Sequence, residues 1–200
     1  MRSDFYREAA NWRIHARGLF LFLIVLTLSM LSSSCLEKDF AKLRPDIERR
    51  GRYLETAPFI KQGKSLCGPA ALAGIFQFWG RPKDVGRIAK GVFLPKLKGT
   101  LPMDMERAAR EEGFWVESSA GSLDRIKSSL RDNVPVICLL DIGIGLYRQP
   151  HYITAIGYDD IYSVIIMHDG MRPNRIMSYD AFERAWERGG RWMLVIKPRS

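Results

Sequence analysis

Histidine and cysteine are scarce in this chain of 200 residues, which holds three of each. No pair of them has the short spacing of a zinc site, so neither a metal nor any other cofactor is expected. No glycine-rich loop of the phosphate-cradling kind occurs, and nothing reads as an ATP-binding domain. Direct transport is therefore not an expected activity. Internal repeats and low-complexity tracts are also missing, which excludes solenoids and biased linkers. Charge of one sign is in modest excess, with 31 Lys and Arg against 22 Asp and Glu. The basic residues are interleaved with acids, as in Glu106-Arg107 and Glu183-Arg184, and no aromatic–basic stripe forms. Nucleic acid is not an expected partner. The apolar stretch from Gly18 to Leu26, running on through Thr27 and Ser29 to Leu31, is shorter than the ~20 residues a spanning helix needs.

That short stretch has a use. Arg2, Arg7, Arg13 and Arg17 precede it, and Ser32-Ser33-Ser34-Cys35 follows. A basic region, an apolar region and a small-residue end make a signal peptide. Cys35 directly after three serines looks like a bacterial lipoprotein processing site, with Cys35 as the lipidated first residue. An uncleaved signal anchor and ordinary signal-peptidase cleavage are the alternatives. The expected division is residues 1–34 as signal peptide, 35–52 as a charged tether and 53–200 as one domain, large enough for a single core. The expected location is the bacterial cell envelope, anchored to a membrane and facing the periplasm or the exterior. There the basic excess suits a solvated surface near anionic headgroups.

Among the three cysteines, Cys138 lies in the continuous apolar run Val136-Ile137-Cys138-Leu139-Leu140 and reads as core. Cys67 is different. It opens Cys67-Gly68-Pro69-Ala70-Ala71-Leu72, followed by Ala73, Ile75, Phe76 and Trp79, and Gly80-Arg81-Pro82 ends the run. This spacing predicts a helix whose start carries the thiol. The unpaired N–H groups and dipole there favour a thiolate, and hence covalent catalysis. A buried structural thiol is the plain alternative.

A base must come from His151 or His168, since His15 lies in the signal segment. Residues 152–158 and 162–168 are rich in β-branched and aromatic residues, with acidic turn residues between, and predict a hairpin. His151 begins one strand and His168-Asp169 ends the other. A two-residue turn at Asp159-Asp160 sets His151 opposite His168. An odd loop sets it opposite Asp169, the carboxylate that could orient an imidazole. The sequence leaves this register open.

The set Gln62, Cys67-Gly68-Pro69-Ala70-Ala71-Leu72, His151-Tyr152, Gly157-Tyr158-Asp159 and Asp169 resembles the double-glycine leader peptidases. These are papain-like cysteine peptidases, best known as domains of bacteriocin-exporting transporters. The likeness spans roughly residues 55–198 and also takes in Phe93-Leu94-Pro95, Lys98-Gly99-Thr100, Glu112-Gly113-Phe114 and Phe182-Glu183-Arg184-Ala185-Trp186. It is most similar to a stand-alone lipoprotein branch. The resemblance implies Cys67 as nucleophile, His151 as general base and acid, Asp169 as orienting carboxylate and Gln62 as oxyanion donor. Gln62 precedes the cysteine by five positions where six is usual, and Gly170 follows the aspartate where proline is usual.

The periodicities predict helices over 69–79, 82–89, 102–112, 122–132 and 179–187. Strands are predicted over 114–117, 135–140, 152–158, 162–168, 174–178 and 191–196. This is an α+β, papain-like arrangement, with the cysteine on the helical half and the histidine on the sheet. The expected activity is cleavage of an extended peptide or leader segment, with a peptide or protein substrate and possible association with an exporter. A papain-like acyl transferase or amidase, and a silent peptide-binding module, are the alternative readings.

Overall fold

The computed structural model describes residues 40, 42–44, 47–63 and 65–199. The signal segment and Cys35 lie outside them. The described chain runs α1 (Ile47–Arg50), β1 (Gly51–Tyr53), α2 (Cys67–Phe78), α3 (Val85–Val92), β2 (Phe93–Leu94), β3 (Gly99–Thr100), α4 (Pro102–Glu111), β4 (Phe114–Ala120), α5 (Leu123–Arg131), β5 (Val136–Asp141), β6 (Pro150–Asp159), β7 (Val164–His168), β8 (Arg175–Ser178), α6 (Tyr179–Arg188) and β9 (Trp192–Pro198).

Seven strands form one antiparallel sheet in the order β4-β9-β5-β6-β7-β8, with β1 pairing β6. Alternate side chains of the central strands go to opposite faces. Cys138, Leu140, Ile153, Ala155 and Met167 pack with Ile126 and Leu130 of α5 and with Phe182 and Trp186 of α6. Ile137, Tyr152, Leu194 and Ile196 pack instead with Leu72, Ile75 and Phe76 of α2, Ile88 of α3 and Met105 of α4. The sheet is thus covered on both faces, which explains why β5 reads as an unbroken apolar run.

Helix α2 is buried almost all round, as its composition requires. Its small residues let it approach the segment before it: a Cβ on Gly74 would sit 3.3 Å from the Pro58 carbonyl oxygen. Gly80, at φ 73°, ends the helix in the left-handed conformation, and the Arg81 N–H returns to the Phe76 carbonyl at 2.8 Å.

Several boundaries differ from expectation, and two have a plain physical reason. Helix α3 begins at Val85, not 82, because the Asp84 side chain accepts from the Arg87 N–H and caps it there. Residues 47–52, expected in the tether, belong to the fold. Ile47 is buried, Gly51 pairs with Asp159, and the Arg50 guanidinium meets the buried Asp159 carboxylate at 3.1 Å.

Candidate active site

The hairpin register decides how β7 and the turn after it lie against β6. Asp159 pairs with Val164, so the loop is residues 160–163, longer than either expected turn. The Asp159 carboxylate builds it by accepting from the N–H groups of Ile161 and Tyr162 at 2.9 and 3.1 Å. The register then shifts at a bulge between Ala155 and Gly157, and His168 pairs with Thr154. Continued by one residue, that register sets Asp169 beside Ile153, near the end of β6 where His151 stands.

His168 is not poised as a base. Its Nε2 donates to the Ala57 carbonyl at 3.0 Å, and its Nδ1 accepts from the Asn174 N–H at 3.2 Å. The Phe59 ring lies edge-on to it, with centroids 5.4 Å apart. Burial holds its pKa below the usual imidazole value, against the pull of the Ala57 carbonyl and the Asp169 charge. It is a neutral structural histidine with both nitrogens committed.

His151 is the imidazole that meets Cys67. Its Nε2 lies 2.8 Å from the main-chain carbonyl oxygen of Asp169, which leaves Nδ1 for the thiol. Burial pushes the thiol of Cys67 up, but the imidazole of His151 and the N–H groups of Tyr152 and Gly68 outweigh it, and the thiol sits below its ordinary value. Burial likewise pushes His151 down, and the hydrogen bond and charge of Cys67, with the Asp169 carbonyl and carboxylate, bring it above its ordinary value. The pair therefore favours thiolate and imidazolium.

Local structure explains the exposure of the sulfur. Cys67 is the first residue of α2, and the preceding Leu66 supplies no side-chain cap. The first N–H groups of the helix are thus left to an anion. Gly68 is required by crowding: a Cβ there would lie 3.0 Å from the Thr100 Cβ and 3.3 Å from the Met105 sulfur. The Tyr152 hydroxyl donates to the Thr100 carbonyl at 3.0 Å, tying the residue after His151 to the strand beside Gly68.

Asp169 comes to His151, but not in the expected way. The bond runs from its main-chain carbonyl. Its carboxylate, 1% exposed, accepts from the N–H groups of Met171 and Arg172 at 2.8 and 2.6 Å and from Arg175 at 3.0 Å. The expected carboxylate–imidazole bond is corrected to a carbonyl–imidazole bond, because the turn after β7 uses the carboxylate to close itself. Gln62 joins the same turn. Its main-chain N–H donates to the Gly170 carbonyl at 2.8 Å, and its side-chain oxygen is buried without a hydrogen-bond partner where a Cβ on Gly170 would stand 2.7 Å away. Asp141, at the end of β5, accepts from the N–H groups of Gly143 and Gln149 at 3.0 and 2.8 Å, closing the loop that delivers His151.

Cys138 is fully buried on the face of the sheet opposite α2, and burial raises its thiol well above the ordinary value. Both cysteines are free. Among the described residues no group of His, Cys, Asp and Glu could hold a metal ion. Sequence reasoning missed Arg175 and the Tyr152 N–H. An arginine six positions after an aspartate carries no signal, and no sequence pattern reports the direction of a main-chain N–H.

Residues 54–192 match the model of the Peptidase_C39 like family. No curated protein is a significant match. Among solved structures, the peptidase domain of Streptococcus ComA, a bi-functional ABC transporter involved in a quorum sensing pathway, superposes with a TM-score of 0.58 at 22% identity, over 72% of this chain and 99% of that one. A putative C39-like peptidase from Bacillus anthracis superposes with a TM-score of 0.63 at 17% identity, over 75% and 98%. A double glycine motif protease from an AMS/PCAT transporter, in complex with the leader peptide, gives 0.58 at 17%, over 71% and 91%. These likenesses establish a papain-like fold.

Proposed function

The chain belongs to the Peptidase_C39 like family, and from that premise we propose that it is an exported, lipid-anchored cysteine peptidase that cleaves an extended peptide or leader segment. The observation that carries the reading is the meeting of Cys67 and His151, which lowers the thiol and raises the imidazole together. A silent binding module has no need of that electrostatic arrangement.

Chemistry follows from the pair. The Cys67 thiolate attacks the scissile carbonyl carbon, and the oxyanion is met by N–H groups at the start of α2, with the Gln62 amide proposed as a second donor. The C–N bond breaks, and the His151 imidazolium gives its proton to the departing amine. Neutral His151 then takes a proton from water, which opens the thioester. The acid product leaves, and thiolate and imidazolium are restored.

A peptide substrate suits the surroundings. The loop before His151 exposes Ile144, Leu146 and Tyr147, the turn after Asp169 exposes Met171, and Leu101 and Met103 follow Thr100. Apolar side chains gathered on segments that lead into a site mark a binding surface. The leader-peptide complex of the double glycine motif protease supports the same substrate class. Lipid anchoring and an envelope location rest on the sequence from Arg2 to Cys35.

The test is incubation of the full chain with a degenerate library of soluble peptides and mass analysis of the products. New peptide ends should appear with the wild type, and Cys67→Ala should lower their yield by at least ~10³-fold. Cys138→Ala should keep the activity of its folded fraction while losing ~1–2 kcal/mol of stability. Undiminished cleavage by folded Cys67→Ala would remove the nucleophile and the reading with it.

A further inference from the structure

The Asp169 carboxylate is almost wholly buried, yet it does not bond His151. One of its oxygens holds the Met171 and Arg172 N–H groups, and the other holds the Arg175 guanidinium. The Asp169 N–H also bonds the Arg172 carbonyl at 3.3 Å, and Gly170 adopts φ 76°, so the turn is fixed from both sides. Its rigidity presents the Asp169 carbonyl to His151. Arg175 is the first residue of β8, which pairs with β7, so the sheet itself anchors the guanidinium.

We propose that Arg175 is a positioning residue: by holding the Asp169 carboxylate on the turn, it makes the main-chain carbonyl of Asp169 the group that orients His151. The proposal rests on the reading of Cys67 and His151 as the reacting pair. A carbonyl oxygen accepts hydrogen bonds and never donates. It fixes the imidazole with a proton on Nε2 and Nδ1 toward the sulfur, whatever happens to the side chain of residue 169. An orienting carboxylate is different, because its amide replacement can donate and invert the tautomer.

Charge is the second consequence. The titrating groups that act on His151 are Cys67 and Asp169, while Asp169 faces His151, His168 and Arg175. Arg175 therefore offsets the charge that Asp169 sets beside the imidazolium.

The experiment needs no substrate. The rate of alkylation of Cys67 by iodoacetamide is followed against pH in the full chain, with thermal unfolding checked for each variant. The wild type should show an inflection below the ordinary thiol value and a second, above the ordinary imidazole value, as His151 loses its proton. Arg175→Met should move the second inflection up by about half a pH unit, since the carboxylate is no longer offset. Arg175→Lys should return it. Asp169→Asn keeps an oxygen for the turn and removes the charge, so its second inflection should move down. Its alkylation rate near neutral pH should fall less than about tenfold, because the main-chain carbonyl still orients His151 and the thiolate is kept. A folded Asp169→Asn whose Cys67 reacts as an ordinary free thiol, with its low inflection lost, overturns the proposal, as does a second inflection that stays fixed in both variants. A wild-type Cys67 that reacts as an ordinary free thiol instead overturns the pairing with His151, and Arg175's role falls with it.

Discussion

At the scale of residues, the electrostatics of one pair set the working pH. The Cys67 thiol lies below its ordinary 9.0 and the His151 imidazole above its ordinary 6.5, each because of the other. The two apparent values belong to the pair rather than to either residue. Each shift favours the thiolate and imidazolium pair over the neutral one. Peptidase kcat/KM should therefore rise with pH through the lowered thiol value and fall as the imidazolium is lost above 6.5. The profile should be a bell whose acid limb lies below the ordinary thiol value of 9.0 and whose basic limb lies above the ordinary imidazole value of 6.5. A single rise near 9.0 with no fall on the basic side would mean an isolated thiol. Cys67 and His151 could be picked out in the sequence because each had few rivals. One thiol opened a helix and another sat inside an apolar strand. What stayed hidden was how Asp169 would take part. A side chain can be named from the sequence, but the choice between its carboxylate and its carbonyl depends on the backbone of the turn.

At the scale of elements, helices and strands followed their apolar periods, while register did not. The bulge in β6 and the longer loop built on Asp159 are each local, yet together they set which residues of β6 oppose His168 and the turn that follows it. Neither leaves a periodic trace, since one carboxylate and one extra residue suffice. The boundary of α3 had a readable signal in Asp84, and the pairing of β1 had little, being three residues long. His168 shows what the register does with the other imidazole. It joins the turn after β7 to the segment between β1 and α2 through Asn174 and Ala57, and it must be neutral to do so. Its folded pKa is depressed by burial below 6.5. A base depressed in the folded state binds more protons when unfolded. Its contribution is whole above 6.5 and is lost as pH falls from there through the folded value. His168→Ala should lose ~2–3 kcal/mol at pH about 8, with part of the acid-side slope of stability removed. Urea midpoints of wild type and variant at pH about 8 and about 5 check this. The raised His151 also titrates above 6.5, but both proteins carry it, so its effect cancels in the comparison. Equal slopes in the two proteins would show that His168 titrates normally in the fold.

At the scale of the whole molecule, everything the proposed chemistry uses lies between Gln62 and Arg175. The N-terminal segment has a separate physical task. In the proposed anchoring, the apolar run is shorter than a spanning helix and ends in Ser32-Ser33-Ser34-Cys35, so a lipid on Cys35 would hold the domain on the membrane. Each buried CH₂ of such a lipid contributes ~0.8 kcal/mol, so a whole acyl chain outweighs the ~1 kcal/mol that each basic residue near the surface supplies through headgroup attraction. Most of the net charge of +9 lies after residue 34, because the first 34 residues set four arginines against Asp4 and Glu8. That charge can bias where the domain rests on an anionic surface, but salt screens it. Cys35→Ser should therefore move the protein from the membrane fraction to the soluble fraction, or leave an unprocessed precursor. Turnover of a soluble peptide by each folded molecule should be unchanged, because the variant touches no group of the site. Mass spectrometry of the membrane form decides between the mechanisms. A lipid on Cys35 as the first residue supports the anchor. An intact Met1 terminus with an unmodified Cys35 means that the apolar run itself holds the protein, as an uncleaved signal anchor.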